Sequence, residues 1–237
     1  GSGWNKLYND YFSYKGYVAK IITSCAMFYD LDDPRHFVRD IHASLAKNGL
    51  WIDQQNYLGL MIKNNTFDNI SHEHLEYYSF KAFKHLVERY DLEIVDVEKN
   101  GVNGGSFRTY VKRKSSSMAP IPGAKERIAA IEDEEEELGL TKISTYKTFY
   151  ERALKIKAQI LDFVETERAK GKKFWVYGAS TRGQVILQFI GLDKKLIIAA
   201  AERNPDKYGL ITIGTGIPIV SEDVARQAQP DYFIVLP

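Results

Sequence analysis

Cysteine is almost missing from this chain: Cys25 is the single one in 237 residues. One thiol excludes an internal disulfide framework and any Cys-based structural zinc site built within the chain. Long hydrophobic runs are missing too. None approaches the roughly 20 apolar residues of a membrane span, and no basic-then-apolar leader opens the sequence. Nor does one sign of charge dominate. With 32 Lys and Arg against 31 Asp and Glu the formal charge is +1, so nothing global draws the chain to nucleic acid or membrane, and any anion site has to be local. A cytoplasmic, reducing compartment is the expectation. The 44% hydrophobic and 27% charged residues that remain describe a globular chain able to bury one large core or two modest ones.

Against this ordinary background the stretch from Asn65 to Ser79 stands out, with His72-Glu73-His74 at its centre and Tyr77-Tyr78 close behind. Imidazole titrates where proton abstraction at physiological pH needs a base, and an adjacent carboxylate can orient it. Two alternatives stay open on these residues alone. His-x-His could supply two metal ligands, but no Cys and no further His cluster lies nearby to complete a shell, so no metal is expected. The histidines could also be idle loop residues bonded to backbone.

The pattern around this stretch is α/β. Ala19 to Cys25 is a short β-branched strand, and Asp32-Asp33-Pro34 opens a helix whose stripe is Phe37, Ile41, Leu45 and Ala46, ending at Asn48-Gly49. Leu50 to Gln55 is the next strand, which makes a right-handed βαβ unit. Ser79 to Tyr90 has helical period. Glu93 to Glu98 and Phe107 to Lys112 alternate as a hairpin across Asn100-Gly101-Val102-Asn103-Gly104-Gly105, closing the edge of a mostly parallel sheet. Gly104, Gly105, Ser106 and Arg108 could admit an anion, or form a plain turn. Lys114 to Gly123 is a linker by composition, and the acidic run Glu132 to Glu137 is read as a solvated helix face. A helix from about Tyr146 to Ala169 follows, with Phe149, Ala153, Ile156, Ile160 and Phe163 inward.

A second α/β unit begins at Lys172. Phe174 to Tyr177 is a strand, Gly178-Ala179-Ser180-Thr181-Arg182-Gly183 a tight turn, and Gln184 to Ile190 a helix. Leu196 to Ala201, Ile217 to Ile219 and Tyr232 to Leu236 are further strands. Such a turn aims backbone N–H groups and the positive helix end at one place, and Arg182 adds charge, so a phosphate or diphosphate is a sensible occupant. The turn lacks the middle glycine of G-x-G-x-x-G, which disfavours a dinucleotide oxidoreductase; Glu202 as a ribose ligand is the only support for that reading.

Taken in order, Ala26-Met27-Phe28-Tyr29-Asp30-Leu31-Asp32-Asp33-Pro34, Ser71-His72-Glu73-His74-Leu75, Gly104-Gly105-Ser106, Tyr177-Gly178-Ala179-Ser180, Asn204-Pro205 and Gly214-Thr215-Gly216-Ile217-Pro218-Ile219 make the chain resemble the sugar C-methyltransferase family. The resemblance implies S-adenosylmethionine as methyl donor and a nucleotide-linked 4-keto-6-deoxy sugar as acceptor, possibly thymidine diphosphate-linked. It implies a partial class I methyltransferase sheet in residues 1–113, a linker and connecting helices in 114–170, and a Rossmann-like domain on the nucleotide-sugar side in 171–237. By the same resemblance His74 is the base, with Glu73 and His72 beside it, and Ser24, Ala26 and Met27 lie at the donor. Tyr77, Tyr78, Gly104, Gly105, Ser106, Arg108, Gly178, Ala179, Ser180, Arg182 and Asn204 then face the acceptor. Ser71 stands where many relatives carry a tyrosine.

The family's zinc module and donor-binding glycine loop have no counterpart here, unless Gly1-Ser2-Gly3 is a remnant of that loop, so the sequence reads as part of a longer parent. The competing function is a nucleotide-sugar binding fragment or inactive partner lacking the methyl-donor half.

Overall fold

The computed structural model describes residues 18–237, so the Gly1-Ser2-Gly3 stretch lies outside the described residues. The chain forms two compact units: Gly1–Thr66 with His72–Tyr146, and Phe67–Ser71 with Lys147–Pro237. The chain therefore enters the second unit twice.

In the first unit β1 (Ala19–Cys25), α1 (Pro34–Ser44) and β2 (Leu45–Asn56) form the expected βαβ unit, with β1 and β2 parallel. Helix α1 starts where it does because the Asp33 carboxylate accepts from the His36 amide at 3.1 Å and Pro34 occupies the first turn. It ends earlier than its apolar stripe suggests. Leu45 is already paired with Ala19, and the register then shifts so that Ile21 faces Leu50. Gly49 makes that shift possible: a Cβ there would lie 2.8 Å from the Ala19 carbonyl oxygen.

A short helix, α2 (Leu58–Asn64), follows, then α3 (Phe80–Glu88), β3 (Leu92–Asn100) and β4 (Ser106–Arg113). The sheet order is β1-β2-β4-β3; β4 pairs antiparallel with both β2 and β3, so the hairpin closes one side of the sheet as expected. At the other side, no described residue pairs with the outer edge of β1, where Ile21 is 65% exposed. Phe28, Trp51, Tyr78, Phe83 and Phe107 form the aromatic centre of the core, with Phe28 at 5.1 Å from Phe83 and 5.2 Å from Tyr78 between ring centroids. Edge contacts of this kind add to the area buried.

Helix α4 (Ala124–Leu138) carries the acidic run, and here the sequence reading is corrected. The run is a solvated face only in part, through Asp133, Glu136 and Glu137. Glu132 pairs with Lys84 at 2.7 Å, Glu134 with Lys63 at 3.1 Å and also with Lys99, and Glu136 with Lys81 at 3.0 Å, while Glu135 is buried. Glu132, Glu134 and Glu136 are docking groups for lysines on α2, α3 and β3.

Helix α5 (Ile143–Ala169) follows. The second unit then contains β5 (Phe174–Tyr177), α6 (Thr181–Ile190), β6 (Ala200–Glu202), β7 (Ile219–Ser221), α7 (Glu222–Ala228) and β8 (Tyr232–Val235). All four strands are parallel, in the order β7-β6-β5-β8. β6 is shorter than its apolar run because Asp193 gathers the Leu196 and Ile197 amides on its carbonyl at 3.0 and 2.9 Å, so a turn takes up the start of that run. Val164, Phe174, Leu187, Ile190, Ile197 and Ile217 build this unit's core.

Candidate functional site

Ligands of open α/β sheets sit outside the carboxyl ends of parallel strands, and in the first unit that end holds the histidine segment. β1 runs into Ala26, whose φ of +52° is unusual for a residue with a Cβ, and the Ala26 amide is tied to the Gln54 carbonyl at 2.8 Å. A single turn of 3-10 helix, Phe28–Asp30, follows and buries Tyr29. The carbonyl of Tyr29 accepts from the amides of Leu75 at 2.9 Å and Glu76 at 3.2 Å. These two bonds lay the His-Glu-His segment across the end of β1.

His74 ends up half-buried, its ring 4.4 Å from that of Tyr29 and 6.5 Å from that of Tyr77. Burial raises the Asp30 carboxyl above its ordinary value; His74 pulls it back and Glu73 pushes it further up, so both lie within electrostatic reach. Tyr29 and Asp30 are the neighbours of His74 that sequence reasoning missed; they appeared in the shared motif and received no role. The signal was the motif's place after a strand predicted to be parallel.

The other residues expected on this side separate. His72 and Glu73 are exposed. Tyr77 is half-buried, with its phenol pushed up by burial, whereas Tyr78 is a core residue packed on Phe28 and Phe83. Ala26 is exposed and Met27 half-buried, while the Ser24 side chain is turned inward, where its hydroxyl donates to Asp53 at 2.5 Å and accepts from Trp51 at 2.8 Å. Ala26 and Met27 thus have surface a ligand could reach, whereas the Ser24 side chain does not.

Gly105 uses its close approach for packing. Its φ is +139°, a Cβ would lie 2.5 Å from that of Leu60, and its carbonyl accepts from the Tyr57 amide at 3.1 Å. The Gly104 carbonyl accepts from Asn64 at 3.0 Å, and the Ser106 hydroxyl donates to the Val102 carbonyl at 2.9 Å. The Arg108 guanidinium is spent on Gln54, at 2.7 and 3.1 Å. These four residues form a packed turn and a strand contact rather than one anion cradle. No group of three or more His, Cys, Asp or Glu that could hold a metal occurs among the described residues.

In the second unit the chain order reverses between β5 and β8, the usual location for a ligand crevice. Gly178 has φ +93°, and Gly183 packs so tightly on β8's continuation that a Cβ would come within 2.6 Å of Leu236. Both glycines thus serve backbone geometry, as they do in dinucleotide folds. The turn's amides are partly engaged already: Ala179 donates to the Glu202 carboxylate at 2.9 Å and Gly183 to the Ser180 hydroxyl at 3.0 Å. Burial pushes the Glu202 carboxyl up, but the Asn204, Arg203 and Ala179 amides and Lys207 hold it below its ordinary range. Glu202 braces the turn, and its carboxylate is committed to those bonds. Arg182 does not face the turn; its guanidinium pairs with Asp68 of the Phe67–Ser71 segment. Asn204 caps the Pro205–Lys207 turn through Asp206 at 3.0 Å.

Residues 6–97, which include the β1–β2 pair and the histidine segment, match the sequence profile described as a methyltransferase domain. The chain belongs more narrowly to the C-methyltransferase family, since the profile described as the C-methyltransferase C-terminal domain matches residues 101–237, more than half of its length. It is 32% identical over 219 residues to C-methyltransferase NovU of Streptomyces niveus, an alignment covering 92% of this chain and 51% of that protein. The chain thus spans about half the length of this curated relative. Among solved structures, a complex of the Haloferax volcanii Trm112 methyltransferase activator with a methyltransferase aligns at a TM-score of 0.34 and 13% identity, over 40% of this chain and 55% of that one.

Proposed function

We propose that the protein to which this chain belongs is an S-adenosylmethionine-dependent C-methyltransferase acting on a nucleotide-linked keto-deoxy sugar. The observation that carries the reading is His74, half-buried against Tyr29 just beyond the carboxyl end of β1, with Asp30 within electrostatic reach. Family membership points the same way.

A C–H beside a ketone is acidic enough for a positioned imidazole to remove, because the charge left behind delocalises onto oxygen. His74 takes that proton on a ring nitrogen, while Tyr29 packs against the imidazole. Asp30 lies within electrostatic reach of the imidazolium that results, and the phenol of Tyr77 is the group assigned to donate toward the developing oxyanion. S-adenosylmethionine, when bound, supplies the electrophilic methyl group that the carbon captures; Ala26 and Met27 are the residues assigned to its side. The nucleotide is assigned to the carboxyl end of the second sheet, around Gly178, Ala179 and Ser180. The partial engagement of those amides favours a contact with few phosphate oxygens over a fully cradled diphosphate.

The base assignment is tested without any donor. In deuterium oxide the chain is expected to speed deuterium entry at the carbon next to the ketone of a nucleotide-linked 4-keto-6-deoxy sugar, followed by mass spectrometry, and His74→Ala is expected to abolish the increase. Catalysed exchange that survives in a folded His74→Ala protein would remove His74 from the role. Calorimetry against S-adenosylhomocysteine and, separately, thymidine diphosphate addresses the two ligands. Heat from the second without the first would favour an acceptor-binding fragment.

A further inference from the structure

The segment that carries His74 is fixed at three points in the first unit. At its start the Leu75 and Glu76 amides reach the Tyr29 carbonyl; further on the Tyr78 carbonyl accepts from the Leu58 amide at 3.0 Å. At its end lies a carboxylate from a different helix. The Phe80 amide donates to Oε1 of Glu135 and the Lys81 amide to Oε2 at 3.1 Å, so one side chain of α4 takes both of the first two amides of α3. Ser79, the local cap, holds only the next amide, that of Ala82, at 3.1 Å.

A helix can be capped by its own N-terminal serine and still leave its first amides without a partner. Burying them beside a bidentate carboxylate meets that need and places a negative charge on the positive end of α3. Glu135 is 4% exposed, so the cap is internal to the fold. Burial pushes its carboxyl up, and the Lys81 and Phe80 amides draw it down. The flanking pairs Glu132 with Lys84 and Glu136 with Lys81 hold α4 in register over α3. Of the three fixed points this is the one made by a side chain, and it stands at the C-terminal end of the run from His74 to Ser79.

We propose that Glu135 is a positioning residue for the His74 segment: by holding the Phe80 and Lys81 amides it sets where that segment ends and so where the imidazole lies against Tyr29. The catalytic consequence rests on the base role proposed above; the positional one does not. Two readouts on the full chain separate them. The ring protons of His74 sense the Tyr29 ring 4.4 Å away, so their NMR shifts report its position directly. Deuterium entry into the keto sugar reports its chemistry.

Glu135→Ala is expected to move the His74 ring resonances, to speed hydrogen exchange of the Phe80 amide at least about tenfold, and to slow catalysed deuterium entry about tenfold or more. Glu135→Gln, whose single amide oxygen can accept only one of the two N–H groups while its NH2 faces the other, is expected to fall between wild type and Glu135→Ala in all three. Glu132→Ala, which removes a neighbouring ion pair without touching the cap, is expected to leave His74 in place. Unmoved His74 resonances in folded Glu135→Ala, or equal movement in Glu132→Ala, overturn the proposal. Should Glu135→Ala not fold, Glu135→Asp withdraws the carboxylate by one methylene, and wild-type His74 resonances in it overturn the proposal equally. Moved resonances in a chain whose wild type catalyses no deuterium entry would uphold the positioning while removing the base role.

Discussion

Asp53 is fully buried in the middle of β2 among groups that can solvate a charge only in part. Ser24 donates to one oxygen and Gln55 to the other at 2.8 Å. Burial nevertheless wins over those two bonds and pushes the carboxyl up to about 7. A carboxyl raised in the folded state binds more protons there than in the unfolded chain, which loses its proton near the ordinary value of 3.8. Its contribution is therefore complete at low pH and is lost as pH rises from about 4 to about 7, by a few kcal/mol in the limit of no relaxation. Asp53→Asn removes the titration and keeps an acceptor for Ser24. Once the Gln55 amide turns over, the new NH2 can also donate to the Gln55 oxygen, which is buried without a partner in the wild type. The variant is expected to flatten this fall and to exceed wild type in stability above pH 7, as urea unfolding across a pH series will register.

At the scale of elements, glycine positions and ion pairs decide how helices meet sheets. Gly183→Ala would press a methyl group to within 2.6 Å of Leu236 and is expected to cost about 1–3 kcal/mol in urea unfolding. Shortening the opposing side chain with Leu236→Ala should recover part of that loss, visible as coupling in a double-mutant cycle. Elements with local signals were legible in the sequence. Asp33 and Pro34 announced α1, alternation announced the hairpin, and the glycine turn announced the second unit. What was not legible depended on distance along the chain. The partners of the acidic run lie on Lys63, Lys81, Lys84 and Lys99, far from it in sequence, so a solvated face was the natural expectation. α2 escaped notice because seven residues with a glycine second carry too little periodicity. At the site, the His-Glu-His stretch was visible by its chemistry. Tyr29 and Asp30, by contrast, acquire their place only through backbone bonds from Leu75 and Glu76. Likewise, Arg182 was expected at the turn because Asp68 lies far upstream of it.

For the molecule as a whole, the first sheet is closed on one side by the β3–β4 hairpin, while no described residue pairs with the outer edge of β1. An edge carrying an exposed Ile21 is a template for association. Ile21→Lys is expected to lower concentration-dependent light scattering without changing the unfolding midpoint. No helix among the described residues is long and apolar enough to cross a membrane. The second entry of the chain into the second unit has a further consequence, for the order in which the protein can be completed as it is made. Asp68 is 7% exposed and finds its cationic partner 114 residues later, in Arg182. At bacterial or eukaryotic translation speeds of about 5–20 residues per second, the carboxylate leaves the ribosome roughly 6–23 s before the guanidinium does. Until then Phe67 to Ser71 is a strip of finished sequence whose folding neighbours have not been synthesised. It adjoins His72–His74 in the chain, so that stretch is made well before the partner of its upstream flank.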